Sequence, residues 1–363
     1  LRIPIYAAPT EDEAREEPRE NLTYFFQRHA ELLRSGMGRG DTGPADRRQT
    51  KFDQVSTLTY DEILAAARAA EQAGLEAFFR SDHYSSFPGA ADNPTTDAWA
   101  TLAGLARDTS TIHLGTLVSP VTFRHPGNLA KVAATVDEMS HGRLEVGIGA
   151  GWNDIEHAAY GFPYPDLPER YDMLEDALTI VHGLWTEPDG WSFRGQHWQV
   201  SEALFRPRPT ASGRKHPPVI LGGDGGPRQA RLVATWADEF NRSSATPDRL
   251  RVAYGRVREA CETLGRDPDE VTRSAMVGVL VAETAGELHE RAQAMLVEFG
   301  SDAATDGEAW LAERRGRWIM GTPDEAHEQI SRFEEAGAQR IMLQDFLPRD
   351  LEMIGLLGRI ARS

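Results

Sequence analysis

An apolar run, Ala77-Phe78-Phe79, breaks off into Arg80-Ser81-Asp82-His83-Tyr84. Histidine exchanges protons near neutral pH. At a strand end, His83 is therefore a candidate acid–base group, and Asp82 beside it is able to orient a ring or a backbone partner. Taken alone, a surface or internally satisfied histidine is the commoner reading of such a residue. A second constellation, Gly147-Ile148-Gly149-Ala150-Gly151-Trp152-Asn153, puts glycines at alternate positions, which lets backbone approach a flat ligand closely. GIGAGW does not meet the dinucleotide pattern GxGxxG, and a tight turn explains it equally well. The polar stretch Asp154-Ile155-Glu156-His157 follows and is able to complete a site. The third constellation is Gly222-Gly223-Asp224-Gly225-Gly226-Pro227-Arg228. Consecutive glycines before a helix start expose N–H groups that cradle an anion such as a phosphate. Asp224 would repel that anion unless it points away, and Arg228 is placed to offset it. Between these lies Leu117-Val118-Ser119-Pro120-Val121-Thr122-Phe123-Arg124-His125-Pro126, either a binding wall or an ordinary strand-to-helix loop. No HExxH, no histidines at ligand spacing within one element and no GxSxG occur, so neither a metal site nor a serine nucleophile is expected.

The elements that must carry these residues alternate strand with helix from Lys51 onward, the pattern of a parallel sheet with crossover helices. Strands are predicted at Phe52–Ser56, Ala77–Phe79, Ile112–Val118, Leu144–Ile148, Val219–Leu221, Glu239–Asn241, Met276–Val281 and Arg340–Gln344. A helix from Tyr60 to Ala73 opens on a capping box, Thr59 with Glu62, and stops at Gly74. Longer helices are expected at 127–140, 167–184, 247–264 and 285–299. Residues 59–82 are echoed without a gap by 322–345: a Thr cap, Asp-Glu in the first turn, a Gly stop, an apolar strand and a closing Asp. Repeated βα units build (β/α)8 barrels, although any capped helix leading to a strand looks similar. The Trp-, Pro- and Gly-rich stretch 187–215 reads as an insertion, a lid or hairpin. Residues 1–48 read as an extension or linker, with a short strand in LRIPIYA, a helical segment near Leu22–Leu33 and a flexible run GMGRGDTGPADRRQT. The barrel then occupies 49–363. Trp99, Trp185 and Trp236, at helical spacing, are expected in the core.

A chain of 363 residues with 40% hydrophobic and 26% charged residues suits one large packed domain. A net charge of −17 argues against nucleic acid, whose affinity depends on Lys and Arg meeting phosphates. No apolar run reaches the ~20 residues of a membrane span. The charged stretch EDEAREEPRE stands where a signal peptide would need an apolar core. One cysteine, Cys261, has no disulfide or CxxC partner, which fits a reducing cytoplasm, and on a helix face it reads as packing.

Six segments in order carry a resemblance over roughly Lys51 to Ile360: SDHY at 81–84, GTLVSPVTFRHP at 115–126, DEMSHGRLEVGIGAGWNDIEHAAYG at 137–161, ERYDMLEDALTIVHGLW at 169–185, PPVILGGDGG at 217–226 and GTPDEAHEQISRFEEAGAQRIMLQ at 321–344. Together they resemble the bacterial luciferase-like monooxygenases and deazaflavin-dependent oxidoreductases. The resemblance implies a (β/α)8 TIM barrel with an insertion segment and a flavin or deazaflavin ring at the barrel mouth. It implies a non-prolyl cis peptide behind that ring, at Leu117–Val118, with Ser119 alongside. It implies that Asp82 and His83 meet ring and substrate, with His83 as the catalytic proton donor or stabiliser. Gly149, Ala150 and Asn153 would line the cofactor, and Gly222, Gly223, Asp224, Gly225 and Gly226 would take its phosphate.

The FRSDHY and RHP forms look like the branch that uses coenzyme F420, which implies hydride transfer between F420 and a small organic substrate. Two alternatives stand beside this: an FMN-dependent monooxygenase fed by a flavin reductase, and a non-catalytic cofactor-binding or partner subunit. The family implies homodimers as a common assembly. Trp152 departs from the sugar-phosphate dehydrogenases of the family, which carry an acidic residue there. An aromatic at that position implies a hydrophobic substrate or packing against the ring.

Overall fold

The computed structural model describes residues 58–85, 95–209, 213–298 and 307–362. All fall within one compact unit, Gln54–Ser363. The expected first strand, Phe52–Ser56, and everything read into residues 1–48 lie outside the described residues.

Helix α1 (Tyr60–Gln72) starts as its capping box dictates. The Glu62 carboxylate accepts the Thr59 N–H at 2.8 Å, and the Thr59 hydroxyl oxygen accepts the Glu62 N–H at 3.3 Å. Gly74, just past the helix, takes φ +76°, a conformation natural to glycine at a C-terminal stop. Ile63, Ala66, Ala67 and Ala70, spaced at three and four residues, form the buried stripe. The chain then enters β1 (Ala77–Arg80) and alternates through α2 (Ala98–Asp108), β2 (His113–Pro120), α3 (Pro126–Met139) and β3 (Leu144–Gly149). Next come the short α4 (Asp154–Tyr160) and the long α5 (Leu167–Thr186). The insertion is a hairpin, β4 (Trp191–Arg194) antiparallel to β5 (Gln199–Ala203). The buried Asp176 of α5 accepts the backbone N–H groups of His197 and Trp198 and so ties the hairpin down.

Alternation resumes with β6 (Val219–Gly222), α6 (Pro227–Trp236), β7 (Glu239–Ser243), α7 (Pro247–Leu264) and β8 (Thr272–Val281). It closes with α8 (Ala285–Glu298), α9 (Gly307–Arg314), β9 (Ile319–Gly321), α10 (Pro323–Glu335), β10 (Arg340–Gln344) and α11 (Leu351–Ile360). The eighth strand, β8, starts four residues before the expected Met276, because its polar first half, Thr272-Arg273-Ser274, hides it from an apolar-run search. Strand β9 and helix α4 were not expected.

The described strands pair in parallel in the order β1-β2-β3-β6-β7-β8-β10, and β9 adds to the upper half of β8. The sheet curls on itself. Arg340 at the start of β10 reaches Glu145 of β3 at 2.7 Å and Glu239 of β7 at 2.9 Å, although β3 and β10 are far apart in the strand order. Asn241 of β7 donates to Ser274 of β8 at 2.9 Å and to the Met342 sulfur of β10 at 3.4 Å. These contacts cross the concave interior of the curled sheet, the arrangement of a (β/α)8-type barrel. Apolar helix faces seal its outside. Trp99 and Trp185 are buried there as expected, Trp236 is half-buried, and Cys261 is fully buried as packing.

Candidate active site at the strand ends

Charge is sorted between the two ends of the barrel. At the N-terminal end, Arg340 gathers Glu145, Glu239 and, at 3.3 Å, Glu76, while His113 Nδ1 meets Glu145 at 2.9 Å. Everything the sequence marked as chemically able lies at the C-terminal end, where parallel barrels carry their chemistry.

Asp82, at the end of β1, is buried and engaged. Its Oδ2 accepts the Ser119 hydroxyl at 2.6 Å and the Arg124 guanidinium at 2.5 Å. Trp99 Nε1 donates to Ser119 Oγ at 3.0 Å, and Arg124 continues to Asp97 at 2.7 Å. Burial pushes the Asp82 carboxyl up, and the charge of Arg124 opposes it. Asp82 thus braces the end of β1 against the end of β2.

His83 follows at the mouth. Its Nδ1 lies 2.7 Å from Glu156 Oε1, and its ring meets the edge of Trp152 with centroids 5.6 Å apart. Glu156 is fully buried on the inner face of α4, and its second oxygen accepts the Tyr84 N–H at 2.9 Å and the Ser85 N–H at 3.3 Å. One turn of α4 also carries the buried His157. Its Nδ1 faces the Asn153 carbonyl, which only accepts, so Nδ1 holds the proton and Nε2 meets Thr122 Oγ1 at 2.6 Å. Packed rings of Tyr84, Phe123, Tyr160 and Phe162 fasten α4 across the loops after β1 and β2.

The peptide Leu117–Val118 is cis. At these two residues β2 steps out of register with β3, between Thr116 and Ser119. Val118 thereby leans over the glycines of its neighbours. A Cβ on Gly147 would lie 2.9 Å from Val118 Cγ1 and 2.0 Å from the Thr116 carbonyl. A Cβ on Gly149 would lie 2.7 Å from Val118 Cγ2, and one on Gly222 would lie 3.0 Å from Cγ1. The space that alternate glycines free is therefore taken first by Val118, which brings the ends of β2, β3 and β6 to one point. Gly151, at φ +83°, turns the chain under Thr122 and Pro120. Ala150 is half-buried beside it, and Asn153 begins α4 without a side-chain cap.

Beyond β6, Gly223 and Gly225 both adopt positive φ, 153° and 70°. Gln229 closes this turn, its carbonyl accepting the Gly225 N–H at 2.7 Å and its amide donating to Gly222 O at 2.8 Å. Gly226 starts α6 with no side-chain cap. Exposed Asp224 pairs with Arg242 of β7, not with Arg228, whose guanidinium is held by Asp172 at 2.5 Å and the Pro168 carbonyl at 3.0 Å. The Gly223 N–H is already donated to the Asn241 carbonyl at 3.1 Å and the Gly225 N–H to Gln229, so the donors this turn offers an anion are those at the uncapped start of α6, beside Arg242 and its partner Asp224.

The model of the luciferase-like monooxygenase family matches residues 43–340. The chain belongs to that family. It is 28% identical over 311 residues to an F420-dependent glucose-6-phosphate dehydrogenase of Microbacterium testaceum, covering 78% of this chain and 87% of that protein. Among solved structures, an F420-dependent secondary alcohol dehydrogenase in complex with an F420-acetone adduct superposes with a TM-score of 0.69 at 22% identity, covering 84% of this chain and 96% of that one. A monooxygenase from Streptomyces bottropensis reaches the same TM-score at 22% identity, covering 83% and 92%. These two likenesses show the luciferase-like fold, which serves both chemistries.

Within the luciferase-like frame, two groups at the mouth escaped the sequence reading. Glu156 was seen only as one of a polar run, because its partner His83 is 73 residues away. Asp345, at the end of β10, is the counterpart of Asp82 in the repeat. Burial pushes its carboxyl up to about 6, while the Leu347 N–H it accepts at 2.7 Å opposes that. The closing Asp shared by the two repeats was the signal for it.

Proposed function

We propose that this chain is an F420-dependent oxidoreductase that exchanges hydride with the carbon of a small, largely apolar alcohol or its carbonyl counterpart. The observation that carries the reading is the convergence of the ends of β2, β3 and β6 on Val118, with His83 at the neighbouring end of β1 and the Gly223–Gly226 turn following β6. The deazaflavin, when bound, supplies the two-electron hydride acceptor or donor. Val118, Gly149 and Ala150 would back its ring, and the Gly223–Gly226 turn with Arg242 would hold its phosphate through the N–H groups at the start of α6. With the cofactor bound, His83 would take the substrate O–H proton as the alcohol is oxidised and return it in the reverse reduction. Proton transfer from a positioned group contributes roughly 10²–10⁴-fold to such a step.

Relatives in two classes support the cofactor choice, since both a sugar-phosphate dehydrogenase and a secondary alcohol dehydrogenase among them are named for F420. Trp152 supports an apolar substrate: it stands 57% exposed beside His83, where an acidic side chain would suit a polyol. No helix among the described residues is long and apolar enough to cross a membrane. Side-by-side titration with F420 and FMN, followed by absorbance and fluorescence, tests the cofactor. Micromolar F420 binding with weak FMN binding is expected; the opposite order establishes the flavin monooxygenase reading, and binding of neither establishes a non-catalytic subunit. His83→Ala is expected to lower kcat by at least 10²-fold with F420 affinity kept, and unchanged turnover removes His83 from the chemistry.

A further inference from the structure

We propose that Glu156 is the positioning residue of this site, fixing which nitrogen of His83 carries the proton and so which one exchanges it with substrate. The inference rests on the role given to His83 above. Glu156 presents its two oxygens to different tasks. Oε2 accepts the backbone N–H groups of Tyr84 and Ser85, at 2.9 and 3.3 Å, and so holds the loop that carries His83. Oε1 lies 2.7 Å from His83 Nδ1. Both oxygens of an ionised carboxylate only accept, so the proton of a neutral His83 resides on Nδ1 and its Nε2 presents the lone pair. Taking a carboxylate fully out of water is costly unless its lone pairs are met. Here three N–H groups meet them, all belonging to the His83 segment, 71 to 73 residues away in the chain. Helix α4 is in turn fastened by the ring cluster and by His157, so the carboxylate is presented from a rigid element.

An amide cannot perform both tasks. In Glu156→Gln the single carbonyl oxygen is needed by the two backbone N–H groups, which can only donate. The NH2 group is then left facing His83 Nδ1, which must accept, and the proton moves to Nε2. The shape of the site is preserved while the tautomer is reversed. A wrong-tautomer orienter in a catalytic triad costs about 10⁴-fold, which sets the upper end of the expected effect.

The experiment reads the tautomer directly, without cofactor. Nitrogen NMR of 15N-histidine-labelled protein, with His83→Ala to assign the resonance, should show the His83 proton on Nδ1 in the unmutated chain and on Nε2 in Glu156→Gln. In turnover, Glu156→Gln should lose roughly 10²–10⁴-fold in kcat with F420 Kd and KM changed less than about threefold. It should lose nothing further in the His83→Ala background. A proton already on Nε2 in the unmutated chain overturns the inference, and that measurement needs no variant of Glu156 to fold. So does an unchanged tautomer in Glu156→Gln, or losses that multiply in the double variant. If His83→Ala leaves turnover intact, the function assigned to His83 falls, while the tautomer result still decides whether Glu156 sets the ring.

Discussion

Replacing Arg340 by Met tests whether the barrel interior is closed at its N-terminal end. The Arg340 side chain is 14% exposed, and Glu145 and Glu239, which it bridges, are 5% and 6% exposed. Burial alone would push both carboxyls up. At Glu145, His113 and Arg340 outweigh burial and hold it below the ordinary range. At Glu239 burial wins, with Arg340 opposing. Met keeps much of the volume and removes the charge, leaving Glu239 buried without its counter-charge while Glu145 keeps His113. Removing one partner from a buried ionic group costs about 3–5 kcal/mol. At roughly 2 °C per kcal/mol for a domain of this size, the melting temperature should fall by about 6–10 °C at pH 7.

The pH dependence has a definite sign. With Arg340 present, the depressed Glu145 contributes stability that is present above the ordinary carboxylate pKa and lost as pH falls through the folded value. Without Arg340, Glu239 loses the charge that opposes its burial and is raised further in the folded state, which gains stability as pH falls and Glu239 takes up a proton, while Glu145 keeps His113. The gap between the two proteins must therefore narrow from pH 7 to pH 5. Urea or thermal unfolding followed by circular dichroism measures it. A gap below about 1 kcal/mol at pH 7, or one that does not change with pH, would mean that water screens the cluster and the interior is open.

Two further outcomes follow from the same reasoning. Burial and the neighbouring His216 bring His182 down to about 4, so the unfolded chain binds the proton first. The folded state should therefore lose up to about 3 kcal/mol as pH falls from roughly 6.5 to 4. His182→Leu should flatten that acid limb in equilibrium unfolding, and an unchanged slope would show that other groups cause it. Gly149→Ala should destabilise by about 1–3 kcal/mol because its Cβ would meet Val118 Cγ2 at 2.7 Å. Adding Val118→Ala should recover much of that loss; strictly additive losses in the double variant would sink the account of why glycine stands there.

Most of the frame was legible before any coordinates. Thr59 with Glu62, Thr322 with Glu325, and Gly74 are short-range signals, and the helices they bound are where they were expected. The echo between 59–82 and 322–345 corresponds to two real helix–strand units, α1–β1 and α10–β10. Strand β8 was seen only in part and β9 not at all, because a polar half-strand and a three-residue strand leave almost no periodicity to read.

The amino-acid sequence alone marked where helices begin and stop and which residues stand at strand ends, and hence that His83, Val118, Gly149 and Gly222 share one end of a parallel sheet; the barrel itself came from the family resemblance. Those facts depend on hydrogen bonds and apolar spacing within about a dozen residues. Only the tertiary structure decided the pairings: His83 with Glu156, Asp82 with Ser119 and Arg124, Asp224 with Arg242 in place of Arg228, and Arg340 with carboxylates of β3 and β7. Each joins groups 18 to 195 residues apart. A charged or polar side chain has many chemically equivalent partners at such range, and only the packed backbone chooses among them.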